Sequence, residues 1–263
     1  MEPRNYLLNV RPSPVDARDR RASAIYPVVS LPAELDLRPK LQPIRDQGDQ
    51  SACAAMAGAA MKECQEFTDL LMNEYFSPQF IYNLRDGDDE GMYMRDLMNI
   101  LRKTGDCTEK VFPYGSGGKP PQIALNEAKS YIIQSYAAVE SVDELKTALY
   151  LNGACIIAVP VYNYSERMWH QNTGEQYLGG HAMAVVGYNV NGFIIRNSWG
   201  TNWGKDGYCV MPYEDFPLAW EVWSTCDARS TPPEPPRKKS WFRRLWWIFP
   251  VVAAIIVSII IFT

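Results

Sequence analysis

Histidine is almost missing from this chain. There are two in 263 residues, so any imidazole chemistry rests on His170 or His181. No two cysteines stand in Cys-x-x-Cys spacing, which excludes the usual structural zinc site; no metal and no cofactor is expected. The opening MEPRNYLLNVRPSP has no apolar run of signal-peptide length. The six cysteines therefore read as free thiols in a reducing space, not as a disulfide framework. Glycine (17) and proline (19) are too few for a collagen-like or low-complexity chain, and there is no internal repeat. Excess positive charge is also lacking: the net charge of −4 gives no reason to expect a nucleic acid partner. What is present, 47% hydrophobic and 21% charged residues, suffices for a real core in one or two domains.

The charge is unevenly spread. Residues 1–33 carry a balance of +2, residues 229–263 of +5, and residues 34–228 of −11. An acidic globule between two basic ends suggests a membrane. Residues 229–244 begin RSTPPEPPRKKS and read as a stiff, Pro-rich basic linker. Leu245 to Thr263 follows, 19 residues without a charge, about 28 Å long as a helix and close to the hydrocarbon thickness of a bilayer. Trp241, Trp246 and Trp247, with Arg237, Lys238, Lys239, Arg243 and Arg244, stand on one side of it. The expectation is a single-pass tail anchor in a lipid bilayer, with the globule on the cytosolic side. Pro250 is tolerated in such a span, and a buried core helix is the competing reading. Residues 1–33 read as an extended Arg/Pro-rich arm, which leaves 34–228 as the folded unit.

Within that unit, residues 52–71 form the strongest helix candidate, rich in Ala, Leu and Met. Ser77-Pro78 opens a short helix through Leu84. Residues 92–104 have helical periodicity and stop at Gly105. Ser141 and Glu144 make a capping box for a helix ending near Gly153. Strands follow at 155–162, 181–188, 192–197 and 207–211. Helices first and strands later predict an α+β chain with segregated lobes.

Cys53 opens the Ala-rich helix, where the dipole and backbone N–H groups stabilise a thiolate. From position alone a small buried hydrophobe is the favoured reading. His170 lies in a polar run and reads as a loop residue, whereas His181 opens an apolar strand. A thiolate nucleophile needs an imidazole partner and the imidazole an orienting acceptor, and Asn197 ends the next strand.

With their neighbours these residues become specific. Asp36-Leu37-Arg38, then Gln47-Gly48 with Cys53 six residues after the Gln, form one block. GHAMAVVGY (180–188) forms a second and IIRNSWGTNWGKDGYCVM (194–211) a third. Over about 35–211 the chain resembles the papain-like cysteine peptidases. The resemblance implies a papain-like two-lobe fold, a helical lobe with the nucleophile and a β-barrel-like lobe with His and Asn. It implies a peptide or protein substrate and hydrolysis through a thioester acyl-enzyme. By the same resemblance Cys53 is the nucleophile, held as a thiolate beside protonated His181, and Asn197 orients the ring. Trp199 shields that bond, Gln47 with the Cys53 N–H forms the oxyanion hole, and Gly91 and Gly180 belong to the substrate-binding wall. Gln47 as a loop amide satisfying backbone groups is the alternative.

Two departures stand out. Ala54 occupies the place of the Trp that usually follows the nucleophile, and Gln50 that of a disulfide-bonded Cys in secreted members. The arm is too short for the long helical propeptide of those members. It resembles the short leaders of bacterial and large-DNA-virus members, which points to a viral protein in a virion or host intracellular membrane. The expectation is that it lies along the cleft and restrains activity; a merely packing arm is the alternative. A catalytically silent peptide-binding module, or an isopeptidase or acyl transferase with the same thiolate, remain the competing functions.

Overall fold

The computed structural model describes residues 6–86 and 91–227, and the expected linker and membrane anchor (229–263) lie outside them. Among the described residues no helix is long and apolar enough to cross a membrane. The chain divides into two compact units, Met1–Ser230 and Thr231–Thr263, of which the first holds every described residue.

In chain order the elements are β1 (Val10–Arg11), β2 (Leu35–Asp36), α1 (Cys53–Leu70), α2 (Pro78–Asn83), β3 (Met92–Tyr93), α3 (Met94–Lys103) and α4 (Gln122–Ala128). There follow β4 (Ile133–Ala138), α5 (Val142–Asn152), β5 (Cys155–Val161), β6 (Gly179–Asn189), β7 (Gly192–Arg196), β8 (Tyr208–Met211) and β9 (Glu221–Asp227). Helices α1 to α4 make one lobe. The second lobe is a sheet in the order β4-β9-β5-β6-β7-β8, all antiparallel, with β2 added to β6. The α+β reading and the two-lobe arrangement hold.

Local chemistry explains most element ends. α1 has only one β-branched residue, Thr68, and every side chain from Cys53 to Glu66 is buried. Such a helix runs through the middle of the molecule, packed against α2, α3 and β6. The hydroxyl of Ser77 accepts the Phe80 N–H at 3.0 Å and caps α2. Ser141 accepts from Glu144 N at 3.2 Å, while the Glu144 carboxylate reaches back to Glu140 N at 2.8 Å, one residue beyond the usual box. Gly105 follows α3 with φ +86°, the left-handed conformation that ends a helix. Every residue of β5 is buried, which accounts for its unbroken apolar run. The helix expected from 92 starts at Met94, because Met92 and Tyr93 pair as β3 with β1 of the arm. Among the described residues the six cysteines form no disulfide, and five of them are buried.

An ionic group is buried where the lobes meet. Lys62 of α1 lies 2.6 Å from the Asp227 carboxylate of β9 and 2.8 Å from Glu66, with side chains 0%, 3% and 1% exposed. Beside it, Gln65 donates to Thr225 at 2.7 Å. The last strand is thereby clasped to the central helix.

Candidate active site

α1 and β6 bring Cys53 and His181 together. Cys53 is the first residue of α1, and its N-cap, Ala52, has no side-chain oxygen, so the helix end faces the cleft without a side-chain cap. The sulfur lies within reach of the Ala182 N–H, one residue after His181 on β6. His181 Nε2 donates to Asn197 Oδ1 at 2.7 Å. The same oxygen accepts the Ser198 N–H at 2.8 Å, which fixes the amide's orientation. Nε2 therefore carries the proton and Nδ1, which has no hydrogen bond, keeps its lone pair. The Trp199 ring lies over the imidazole, centroids 4.5 Å apart. Gln47 is 1% exposed, and its Oε1 accepts from Ser198 Oγ at 2.8 Å. Its Nε2 donates to Gln50 O at 3.0 Å and to Leu7 O at 3.5 Å. The Tyr114 hydroxyl donates to Gln47 O at 2.7 Å.

The arm runs along this site. Tyr6 stacks on Trp199 at 4.6 Å and donates to its carbonyl at 3.1 Å. The Gly180 N–H donates to Leu8 O and the Met92 N–H to Asn9 O. Asn9 Nδ2 donates to Ser51 Oγ at 2.8 Å. Gly91 and Gly180 are where the chain cannot carry a side chain: a Cβ on Gly91 would lie 2.8 Å from Asn9 O, and one on Gly180 2.2 Å from Val10 O. Leu8 and Val10 are buried. The arm thus touches Gln47, Gly91, Gly180 and Trp199, while Asn197 and Trp199 contact His181 and the Ala182 N–H reaches Cys53.

The electrostatics depart from the expected ion pair. Burial pushes the Cys53 thiol up to about 11, against the pull of the nearby backbone N–H groups. Burial likewise pushes His181 down to about 4, opposed by the bond to Asn197. Both charged forms are penalised by the same lack of water, so at neutral pH the covered pair is thiol and neutral imidazole. His170 is elsewhere, on the surface, with its Nε2 2.8 Å from the Asp215 carboxylate. Ala54 is buried in α1. Sequence reasoning missed Ser198, Tyr114 and Tyr6. Ser198 sits inside the Asn-Ser-Trp-Gly run and was visible there only as a neighbour of Asn197.

A family model described as papain family cysteine protease matches residues 31–226. This chain belongs to the papain family. It is a papain-family cysteine protease, and peptide or protein is its substrate class. A peptidase C1-like protein of Acanthamoeba polyphaga mimivirus is 30% identical over 211 residues, 68% of each chain. A cathepsin B-like protein of Giardia intestinalis is 31% identical over 185 residues, 62% of each, so that this chain spans about two thirds of these relatives' length. Among solved papain-family structures, xylellain, a cysteine protease from Xylella fastidiosa, superposes with a TM-score of 0.72 at 31% identity, covering 84% of this chain and 96% of that one. Procathepsin L 3 of Tenebrio molitor, at 19% identity and a TM-score of 0.63, shares the fold.

Proposed function

We propose that Cys53, His181 and Asn197 hydrolyse peptide bonds through a thioester acyl-enzyme, and that the N-terminal arm holds the enzyme latent. The observation that supports both is the course of residues 6–11 past Trp199, Gln47, Gly180 and Gly91.

With the arm displaced, water reaches the pair and the Cys53 proton moves to His181 Nδ1, giving thiolate and imidazolium. The Cys53 sulfur attacks the scissile carbonyl carbon. The oxygen that takes up the electron pair is met by the Gln47 side-chain N–H and the Cys53 backbone N–H at the helix end. The C–N bond breaks as His181 gives its proton to the leaving amine, which leaves a thioester on Cys53. Water, deprotonated by His181, then attacks the thioester and releases the acid. Asn197 Oδ1 holds the imidazole in the tautomer these transfers need. Trp199 keeps competing water from that hydrogen bond.

The uncharged Leu245 to Thr263 and its basic flank support a further proposal, a single-pass anchor that holds the protease at the cytosolic face of a virion or intracellular membrane. Fractionation of cells that express the full chain tests this: recovery in the soluble fraction after carbonate-free lysis overturns it.

Labelling of the full chain in detergent with an irreversible epoxysuccinyl peptide tests the mechanism. The expected product is one adduct on Cys53 that forms quickly after arm displacement, slowly before it, and never in Cys53→Ala. Rapid labelling of the untouched chain refutes latency; no labelling in either state refutes the thiolate mechanism.

A further inference from the structure

The arm is two devices joined by a turn. Residues 6–13 sit in the cleft. They end at Ser13, whose N–H and hydroxyl donate to the Glu221 carboxylate at 3.0 and 3.2 Å. Residues 20–37 do something else: they complete the sheet lobe. The Ala138 N–H donates to Arg20 O at 2.8 Å, and Arg21 forms a bridge with Ala138, covering the outer edge of β4. Ala22 is fully buried. The Tyr26 hydroxyl lies 2.7 Å from Ser224 Oγ, on β9 beside the core. Pro32 O accepts from the Tyr188 hydroxyl at 3.1 Å, and Leu35 and Asp36 then pair with Tyr188 and Gly187 of β6. Removal of this stretch would uncover a sheet edge and leave Tyr188 and Ser224 without these partners.

Between the two lies residues 14–18, a turn in which Asp19 N donates to Asp16 O and Arg18 pairs with Asp16. Val15 there is 103% exposed and the Arg18 side chain 90% exposed. None of residues 14–18 is buried.

Resting on the reading of the arm as a latch, we propose that residues 14–18 are the activation cleavage site. The mature protease then keeps residues 20–33 as a permanent part of its sheet lobe. Cutting there turns an intramolecular plug into a separate short peptide. The plug loses the millimolar effective concentration that the covalent link confers, and dilution removes it. A cut at the equally exposed Val28 has a different outcome. The fragment it frees holds on at two places, in the cleft and along β4, and bivalent attachment keeps it bound.

The test uses the full chain in detergent. The recognition sequence of one site-specific endopeptidase is inserted between Val15 and Asp16 in one variant and between Val28 and Val29 in the other. Each is nicked to completion and diluted to nanomolar concentration, with hydrolysis of a fluorogenic peptide and gel filtration followed in parallel. The nick at Val15 is expected to raise hydrolysis by about tenfold or more as its fragment separates. The nick at Val28 is expected to change it less than about twofold, with the fragment co-eluting. Equal activation by both nicks, or loss of the fragment from the Val28 variant, overturns the division of the arm while leaving latency intact. If the Val15 fragment separates and hydrolysis does not rise, latency itself has failed and the assignment of a cleavage site falls with it.

Discussion

Leu8→Asp isolates what the arm does to the Cys53 thiol. Leu8 is 7% exposed in the cleft, and its carbonyl accepts from Gly180 N–H. Replacing it removes about 2 kcal/mol of apolar burial. It also places a carboxylate where desolvation costs several kcal/mol more. A total above about 4 kcal/mol moves the bound-to-open ratio of the arm by about a thousandfold. The consequence is read at Cys53. In the closed chain the thiol stands at about 11, so at pH 7 only about 10⁻⁴ of it is thiolate. Opening admits water, restores the charged pair and brings the thiol to about 7 or below, which raises the thiolate fraction by about 5 × 10³. A less basic thiolate is a weaker nucleophile, and a Brønsted coefficient of about 0.45 over four units gives back nearly two decades. The net expectation is alkylation of Cys53 by iodoacetamide about a hundredfold faster in Leu8→Asp than in the parent at pH 7. The rate–pH profile shifts to lower pH by about four units. Intact-mass kinetics with Cys53→Ala as the blank measure both. A folded Leu8→Asp protein whose Cys53 reacts at the parent's rate would falsify the link between arm and thiol.

Three further outcomes are expected. Asn197→Ala leaves His181 Nε2 without its acceptor, and kcat/KM of the opened enzyme falls by about tenfold to a hundredfold with thermal stability little changed. Unchanged steady-state kinetics refutes the orienting role. Lys62→Ala strands Glu66 and Asp227 as uncompensated buried carboxylates and costs about 3–5 kcal/mol in urea unfolding, and a loss under 1 kcal/mol rules out the buried triad as drawn. Gly105→Ala combines a left-handed φ with a Cβ 1.9 Å from Ala128 O, so it lowers the midpoint of thermal unfolding, whereas Gly117→Ala, with open space around it, does not.

Much of this fold was legible because its signals are local. Ser77, Ser141, Gly105 and Gly153 mark helix ends by their own chemistry. The unbroken apolar runs of β5 and β6 announce strands buried on both faces. α4 and β4 went unread, as did β9, whose Glu-Val-Trp-Ser-Thr-Cys-Asp carries no turn residue at either side. β1 and β3 are two residues each and exist only because the arm returns to the cleft; no window of sequence contains both partners. The same division holds at the site. Cys53, His181 and Asn197 were singled out through the family resemblance of the blocks around them, while the protonation state of the pair was not legible. That state depends on the burial of Cys53 and His181, which segments far apart in the sequence bring about together.

The clasp between Lys62 and Asp227 makes the end of β9 a mechanical anchor point. A pull applied at Asp227 reaches α1 with no intervening loop. It passes through a bond of 2.6 Å into the helix that begins with Cys53. β9 and the helix that opens with Cys53 are joined at Lys62 as one strut.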